Sequence, residues 1–135
     1  MGIKYYAGYN YQLAETYSVQ TRVRPRQAIH TRFTQLDEDG MLTIAGGYAW
    51  DGPSGPTMDT KSAMRGSLVH DAFYQMLRLG LLSQTWRHIA DEEYQRMCIE
   101  DGMFKLRARW HMKALKWFGG PAARTVPEPP PLTAP

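Results

Sequence analysis

A loop dense in glycine and proline, Asp51-Gly52-Pro53-Ser54-Gly55-Pro56, separates two kinds of sequence in this chain. Before it, short runs alternate polar and apolar residues, as strands with one buried face do. After it, apolar residues recur at helical spacing. Glycine and proline at this density set φ and ψ locally and stop either element from running through. The fold predicted is α+β, a single domain over residues 1–118. A small N-terminal antiparallel sheet (1–50) leads through the Gly/Pro loop (51–58) to a helical part (59–118) of three helices, against which the sheet packs. Residues 119–135 have no core of their own. Six of the nine prolines fall between 121 and 135, which favours extended polyproline geometry.

The strand signals are local. Residues 3–23 are rich in Tyr, Thr and Val. From 9 to 19 they alternate, with Tyr9, Tyr11, Leu13 and Glu15 on one side and Asn10, Gln12, Ala14 and Thr16 on the other. Pro25 interrupts, and a second strand fits 27–36, with Ile29, Thr31 and Phe33 sharing a face. Asp37-Glu38-Asp39-Gly40 is a turn sequence, because Asp-Gly readily takes positive φ. Residues 41–45 return as the partner strand, and Tyr48-Ala49-Trp50 extends it beyond Gly46-Gly47.

Asp59 or Thr60 can cap a long helix that ends near Leu79, with Gly80 as its C′ residue. Ala63, Ser67, His70, Tyr74 and Leu77 form one stripe on it, and Leu68, Ala72, Met76 and Leu79 a second. A helix apolar over so much of its circumference belongs at the centre of the packing. Ser83 or Thr85 can cap a second helix over 86–100, where Glu93 is the one departure from the apolar periodicity. Asp101-Gly102 breaks the chain before a third helix over 103–118.

Composition narrows the function. With 43% hydrophobic and 12% aromatic residues, a chain of 135 residues is globular rather than disordered. The formal net charge of +3 is too mild to argue for a specific nucleic-acid partner. Cys98 is the single cysteine, so an intrachain disulfide and a Cys/His zinc pattern are excluded and a reducing compartment is favoured. The N-terminus lacks the apolar stretch of a signal peptide, and no run of about 18 apolar residues offers a transmembrane helix.

Three residues on the long helix carry chemistry: His70, Asp71 and Tyr74. Neighbours on a helix point about 100° apart, so His70 and Asp71 serve different jobs, whereas Tyr74 lies one turn on and shares the face of His70. Folding the second helix back across the loop near Leu82 brings Asp91 within about one helical turn, roughly 5 Å, of His70. A His–Asp hydrogen bond there would set the imidazole tautomer and leave the other nitrogen as a base. Asp71 would face elsewhere. With Asp51 or Asp59 and the carbonyls of a loop that includes Gly52 and Gly55, it would make the oxygen-rich kind of site calcium accepts. The same residues also suit a plain structural role, a satisfied polar cluster between packed helices above a tight connection.

The run WDGPSGPT, then SLVHDAFYQ, then RHIADEEYQ resembles the phage and prophage family known as domain of unknown function 1353, and the resemblance covers about residues 46–102. That resemblance implies a phage or prophage origin rather than an activity. It places the protein in the host bacterial cytoplasm before assembly and then in the virion. A more local similarity is to the secreted phospholipases A2, which carry a Gly-rich calcium loop and a helix with His-Asp-x-x-Tyr. It implies His70 as the general base acting through water, Asp71 as a calcium ligand, Asp91 as the orienting acid and Tyr74 as support for the pair. The chain departs from that family in lacking its paired cysteines, in the glycine positions of the loop, and in the spacing from loop to histidine.

On the third helix, Lys105, Arg109, Lys113 and Lys116 recur at i, i+4, i+8 and i+11 beside Trp117. Such a basic stripe can face solvent, a partner, or an anionic membrane surface. Two functions fit. One is a virion or accessory protein, tail-associated, that contacts other phage proteins and uses the proline-rich tail as a docking arm. The other is a small calcium-dependent hydrolase acting on an ester or lipid of the host envelope. The family resemblance favours the first; the local His-Asp pattern favours the second.

Overall fold

The computed structural model describes residues 3–6, 11–52 and 61–102. Within them the chain is α+β, with two antiparallel sheets and two α-helices. A β-rich unit ends at Asp51 and a helical unit begins at Gly52. The expected third helix with its basic stripe (Lys105, Arg109, Lys113, Lys116, Trp117) and the proline-rich tail lie outside the described residues, as do Gly55 and Asp59.

The β-rich unit holds β1 (Tyr5–Tyr6), β2 (Tyr11–Leu13), β3 (Tyr17–Gln20), β4 (Ile29–His30), β5 (Thr34–Leu36), β6 (Met41–Ile44) and β7 (Ala49–Trp50). One sheet runs β1-β2-β7 and the other β3-β6-β5-β4. The turn predicted at 37–40 joins β5 to β6. It is closed by Gly40 N–H donating to the Asp37 carbonyl at 3.0 Å and by Asp37 N–H donating to the Met41 carbonyl at 2.9 Å. Along β6 the expected alternation holds: Leu42 and Ile44 are buried and Met41 and Thr43 half-buried.

Three strand expectations need correction. The run 27–36 is not one strand but the hairpin β4–β5, turning at Arg32-Phe33. Thr31 makes that turn: its hydroxyl accepts from Thr34 N–H at 3.0 Å while its own N–H reaches the Thr34 carbonyl at 2.8 Å. A threonine side chain has replaced a backbone partner, a competition that strand periodicity does not reveal. Likewise the alternating run 9–19 breaks at Ala14–Thr16, where the chain passes from one sheet to the other and Thr16 Oγ1 accepts from Gly46 N–H at 3.2 Å. Tyr48-Ala49-Trp50 does not lengthen β6. It crosses to the first sheet, where Trp50 pairs with Tyr11.

In the helical unit, α1 spans Lys61–Arg78 and α2 spans Arg87–Glu100, preceded by a 3-10 turn at Gln84–Trp86. Every residue of α1 from 63 to 70 is buried, as expected for a helix apolar around most of its circumference. It ends as the sequence predicts. Gly80, at φ 73°, donates to the Leu77 carbonyl at 3.1 Å, and Leu81 N–H reaches back to the Met76 carbonyl at 3.0 Å. This reciprocal pair is the Schellman motif, which needs a residue at positive φ and so selects glycine. Ser83 then starts the return, its hydroxyl accepting from Thr85 N–H at 3.3 Å. None of the described helices is long and apolar enough to cross a membrane.

Candidate active site

Two contacts set the separation and register of α1 and α2. The first is Gly66, where a Cβ would come within 3.1 Å of both Cys98 Sγ and the Tyr94 carbonyl oxygen. Only glycine lets the helices approach so closely. The second is Arg65, buried to 2% exposure. Its Nε and Nη2 bond Asp101 at 3.0 and 3.1 Å, and Nη2 also bonds Glu100 at 2.8 Å. The start of α1 is thereby tied to the end of α2, and the two helices run antiparallel. A planar guanidinium suits such forked pairing, and the Arg65 charge holds the Glu100 carboxyl below its ordinary value.

Along this pair the residues singled out from sequence do meet. His70 Nε2 lies 2.7 Å from Asp91 Oδ1, both side chains buried. Tyr74 donates its hydroxyl to the same Oδ1 at 2.8 Å. The His70 and Tyr74 rings stack at 4.0 Å between centroids, tilted 34°, and Tyr94 meets His70 edge-on at 5.6 Å. His70 is thus held on three sides: by a carboxylate, by a ring one turn along its own helix, and by a ring from the facing helix. Asp91 needs both donors, because a buried carboxylate stripped of partners costs several kcal/mol.

The chemistry follows from which atoms are committed. A carboxylate only accepts, so the proton between His70 and Asp91 sits on Nε2 and the lone pair of the neutral ring sits on Nδ1. Tyr74 stays protonated: burial first, and then the Asp91 charge, push its phenol well above the usual range, while the nearby Arg87 guanidinium acts in the opposite sense. Asp91 Oδ1 therefore takes two donors, and His70 keeps Nδ1 as its lone-pair nitrogen.

Other sequence-derived residues are placed differently. Asp71 is half-buried on α1. Gly52, at φ 84°, opens the helical unit, and Asp51 is exposed at the end of the β-rich one. Among the described residues no three of His, Cys, Asp or Glu gather as a metal site. Cys98 is a core residue beside Ala63 and Tyr94, and burial pushes its thiol up to about 12, which leaves it inert as a nucleophile. Glu93, the departure from apolar spacing, is fully buried and capped by Arg96, whose Nη2 lies 2.6 Å from Oε2.

Two residues escaped the sequence reading. Arg87 and His88, the first residues of α2, border Asp91 across a cleft, and Arg87 also neighbours the Tyr74 hydroxyl. Arg87 lies four residues before Asp91, so it shares a helix face with the proposed orienting acid, and that spacing was the available signal.

Compared with protein-family models, with curated proteins and with solved structures, the chain finds no match.

Proposed function

We propose that this protein is a small hydrolase of phage or prophage origin in which His70 is the general base and Asp91 orients it. The observation that carries the reading is the 2.7 Å contact between His70 Nε2 and Asp91 Oδ1, closed by Tyr74 on the same oxygen. For a base, that contact supplies a fixed tautomer, with the proton on Nε2 and the lone pair on Nδ1.

In the proposed reaction a water oxygen bonds to the carbonyl carbon of an ester while His70 Nδ1 takes one of its protons. The carbonyl electron pair moves onto oxygen. Collapse of that tetrahedral species breaks the bond to the alkoxide, and the imidazolium returns the proton to it, leaving an acid and an alcohol. Throughout, the Asp91 charge stabilises the imidazolium, and Tyr74 keeps that carboxylate from turning toward the water. Positioned general-base catalysis of this kind contributes about 10²–10⁴-fold.

Calcium belongs to the same proposal. Asp71 follows His70 directly and projects about 100° away from it, so it can hold a cation without disturbing the pair. One carboxylate alone is too few ligands, and the others would be carbonyl oxygens of the loop that follows Gly52. A bound calcium would polarise the ester carbonyl. The phage resemblance makes the host envelope the source of the ester.

The test is hydrolysis of short-chain ester and phospholipid vesicles, with and without calcium, by the wild type, by His70→Gln and by Asp71→Asn. Turnover that vanishes in His70→Gln supports the base, and a calcium-induced rise in melting temperature that Asp71→Asn removes supports the metal ligand. No turnover with any divalent ion overturns the reading.

A further inference from the structure

The connection from β3 to β4, residues 21–28, carries the chain from one edge of the four-stranded sheet to the other. Its first six positions alternate strictly. Thr21, Val23 and Pro25 are buried, whereas Arg22, Arg24 and Arg26 are exposed. The buried positions seat the segment. Thr21 Oγ1 donates to the Gly40 carbonyl at 2.8 Å and accepts from Val23 N–H at 3.3 Å, and Pro25 fixes its own φ. The arginines are thus held outward from a pinned backbone. The same parity continues at the exposed His30 and Arg32, and the Arg32 guanidinium lies over the Phe33 ring, 5.4 Å from its centroid.

No carboxylate occurs between Glu15 and Asp37, so residues 20–34 concentrate four arginines in a chain whose formal net charge is only +3. Arg22 follows Thr21, which is bonded to the acidic turn at 37–40, and it is therefore left out of the strip. Arg24 and Arg26 make no side-chain hydrogen bond or ion pair with other described residues.

The strip exposes charge and not apolar area. A protein partner or a membrane interface is held by apolar anchors. Among the described residues the exposed large hydrophobics are Tyr6 and Leu81, and neither lies here. Side chains two residues apart on an extended chain stand about 6.6 Å from each other, and each guanidinium can fork onto phosphate oxygens. A polymer with one phosphate on every backbone unit can meet such cations in succession. The exposed His30 adds a flat ring on which an unstacked base can lie.

We propose that Arg24, Arg26 and Arg32 form a binding strip for single-stranded nucleic acid, gripping its phosphates without regard to sequence. The inference stands apart from the hydrolase reading and uses none of its residues.

The test titrates fluorescein-labelled oligothymidylate with the full-length chain, followed by anisotropy between about 50 and 200 mM salt. Saturable binding is expected. Log K should fall against log salt with a slope of about −2, since three contacts to a single strand contribute roughly −0.7 each. Combining Arg24→Gln, Arg26→Gln and Arg32→Gln should flatten that slope to near zero and weaken binding about tenfold or more at the lowest salt. Circular dichroism checks that this variant is folded. Lys4→Gln, at an exposed cation paired with Glu15 outside the strip, should leave the slope unchanged. His70→Gln should also leave it unchanged, so the two readings fail separately. Absence of saturable binding, or a slope unmoved in the folded triple variant, overturns the inference. Displacement of the oligonucleotide by polyglutamate as readily as by unlabelled oligothymidylate also overturns it, and assigns the strip to an acidic protein.

Discussion

Replacing Gly66 by alanine tests how the two helices are held at the distance the His70–Asp91 bond requires. Helix propensity alone favours the change by about 1 kcal/mol, since glycine is the poorer residue in a helix interior. Against this, the new methyl would meet Cys98 Sγ and the Tyr94 carbonyl oxygen at 3.1 Å and Tyr94 Cδ1 at 3.2 Å. All three belong to α2, and the carbonyl cannot step aside without moving the helix. Overpacking of this kind costs about 1–3 kcal/mol, so the propensity gain should be cancelled or outweighed, with a net loss of up to about 2 kcal/mol. In urea that is a midpoint unchanged or lower by up to about 1 M at unchanged slope. Tyr94 is three residues from Asp91, so a displaced α2 carries the carboxylate with it, and the His70 imidazole NH signal should shift. Gly66→Ala gaining the full propensity increment, with His70 unmoved, would refute this account of the helix spacing.

Three further outcomes are expected. Tyr74→Phe removes a donor from a buried carboxylate and should lower stability by about 1.5–3 kcal/mol by urea denaturation, more than loss of an exposed hydroxyl would. Cys98, buried and with its thiol pushed up to about 12, should resist iodoacetamide at pH 8 until urea unfolds the chain. Glu100 is held below the usual carboxylate range, first by its hydrogen bond to Arg65. A depressed carboxylate contributes stability above its unfolded value and loses it as pH falls through the folded one. Glu100→Gln should therefore narrow the stability difference between neutral pH and about pH 3.

Much of the site could be read from spacing. His70 and Tyr74 share a helix face by arithmetic, and Gly80 sets where the chain turns back, so Asp91 had to return near His70. Those are local rules, and they survived packing. The sheet was harder to read, because strand periodicity says which residues alternate but not where a side chain takes over a backbone hydrogen bond, as Thr31 does, or where a strand changes sheets, as between Leu13 and Tyr17. Arg65 went unread for a related reason, and Glu93 was legible only as a departure from the apolar periodicity. Charged residues on a helix look solvent-facing until the partner that neutralises them is in view, here Asp101 with Glu100, and Arg96. Gly66 on α1 lowers helix propensity, and the close approach of Tyr94 and Cys98 explains it.

The central claim is that Asp91 makes His70 a base, and Asp91→Asn tests it most directly. The amide keeps the size of the side chain but removes its charge and its obligation to accept, so the imidazole loses the partner that puts its proton on Nε2. With the variant shown to be folded, kcat on ester vesicles should fall by roughly 10⁴, the scale seen when the equivalent acid of a catalytic triad is made an amide. A folded Asp91→Asn that hydrolyses ester as fast as the wild type would contradict the claim, and His70 and Asp91 would then be a structural pair.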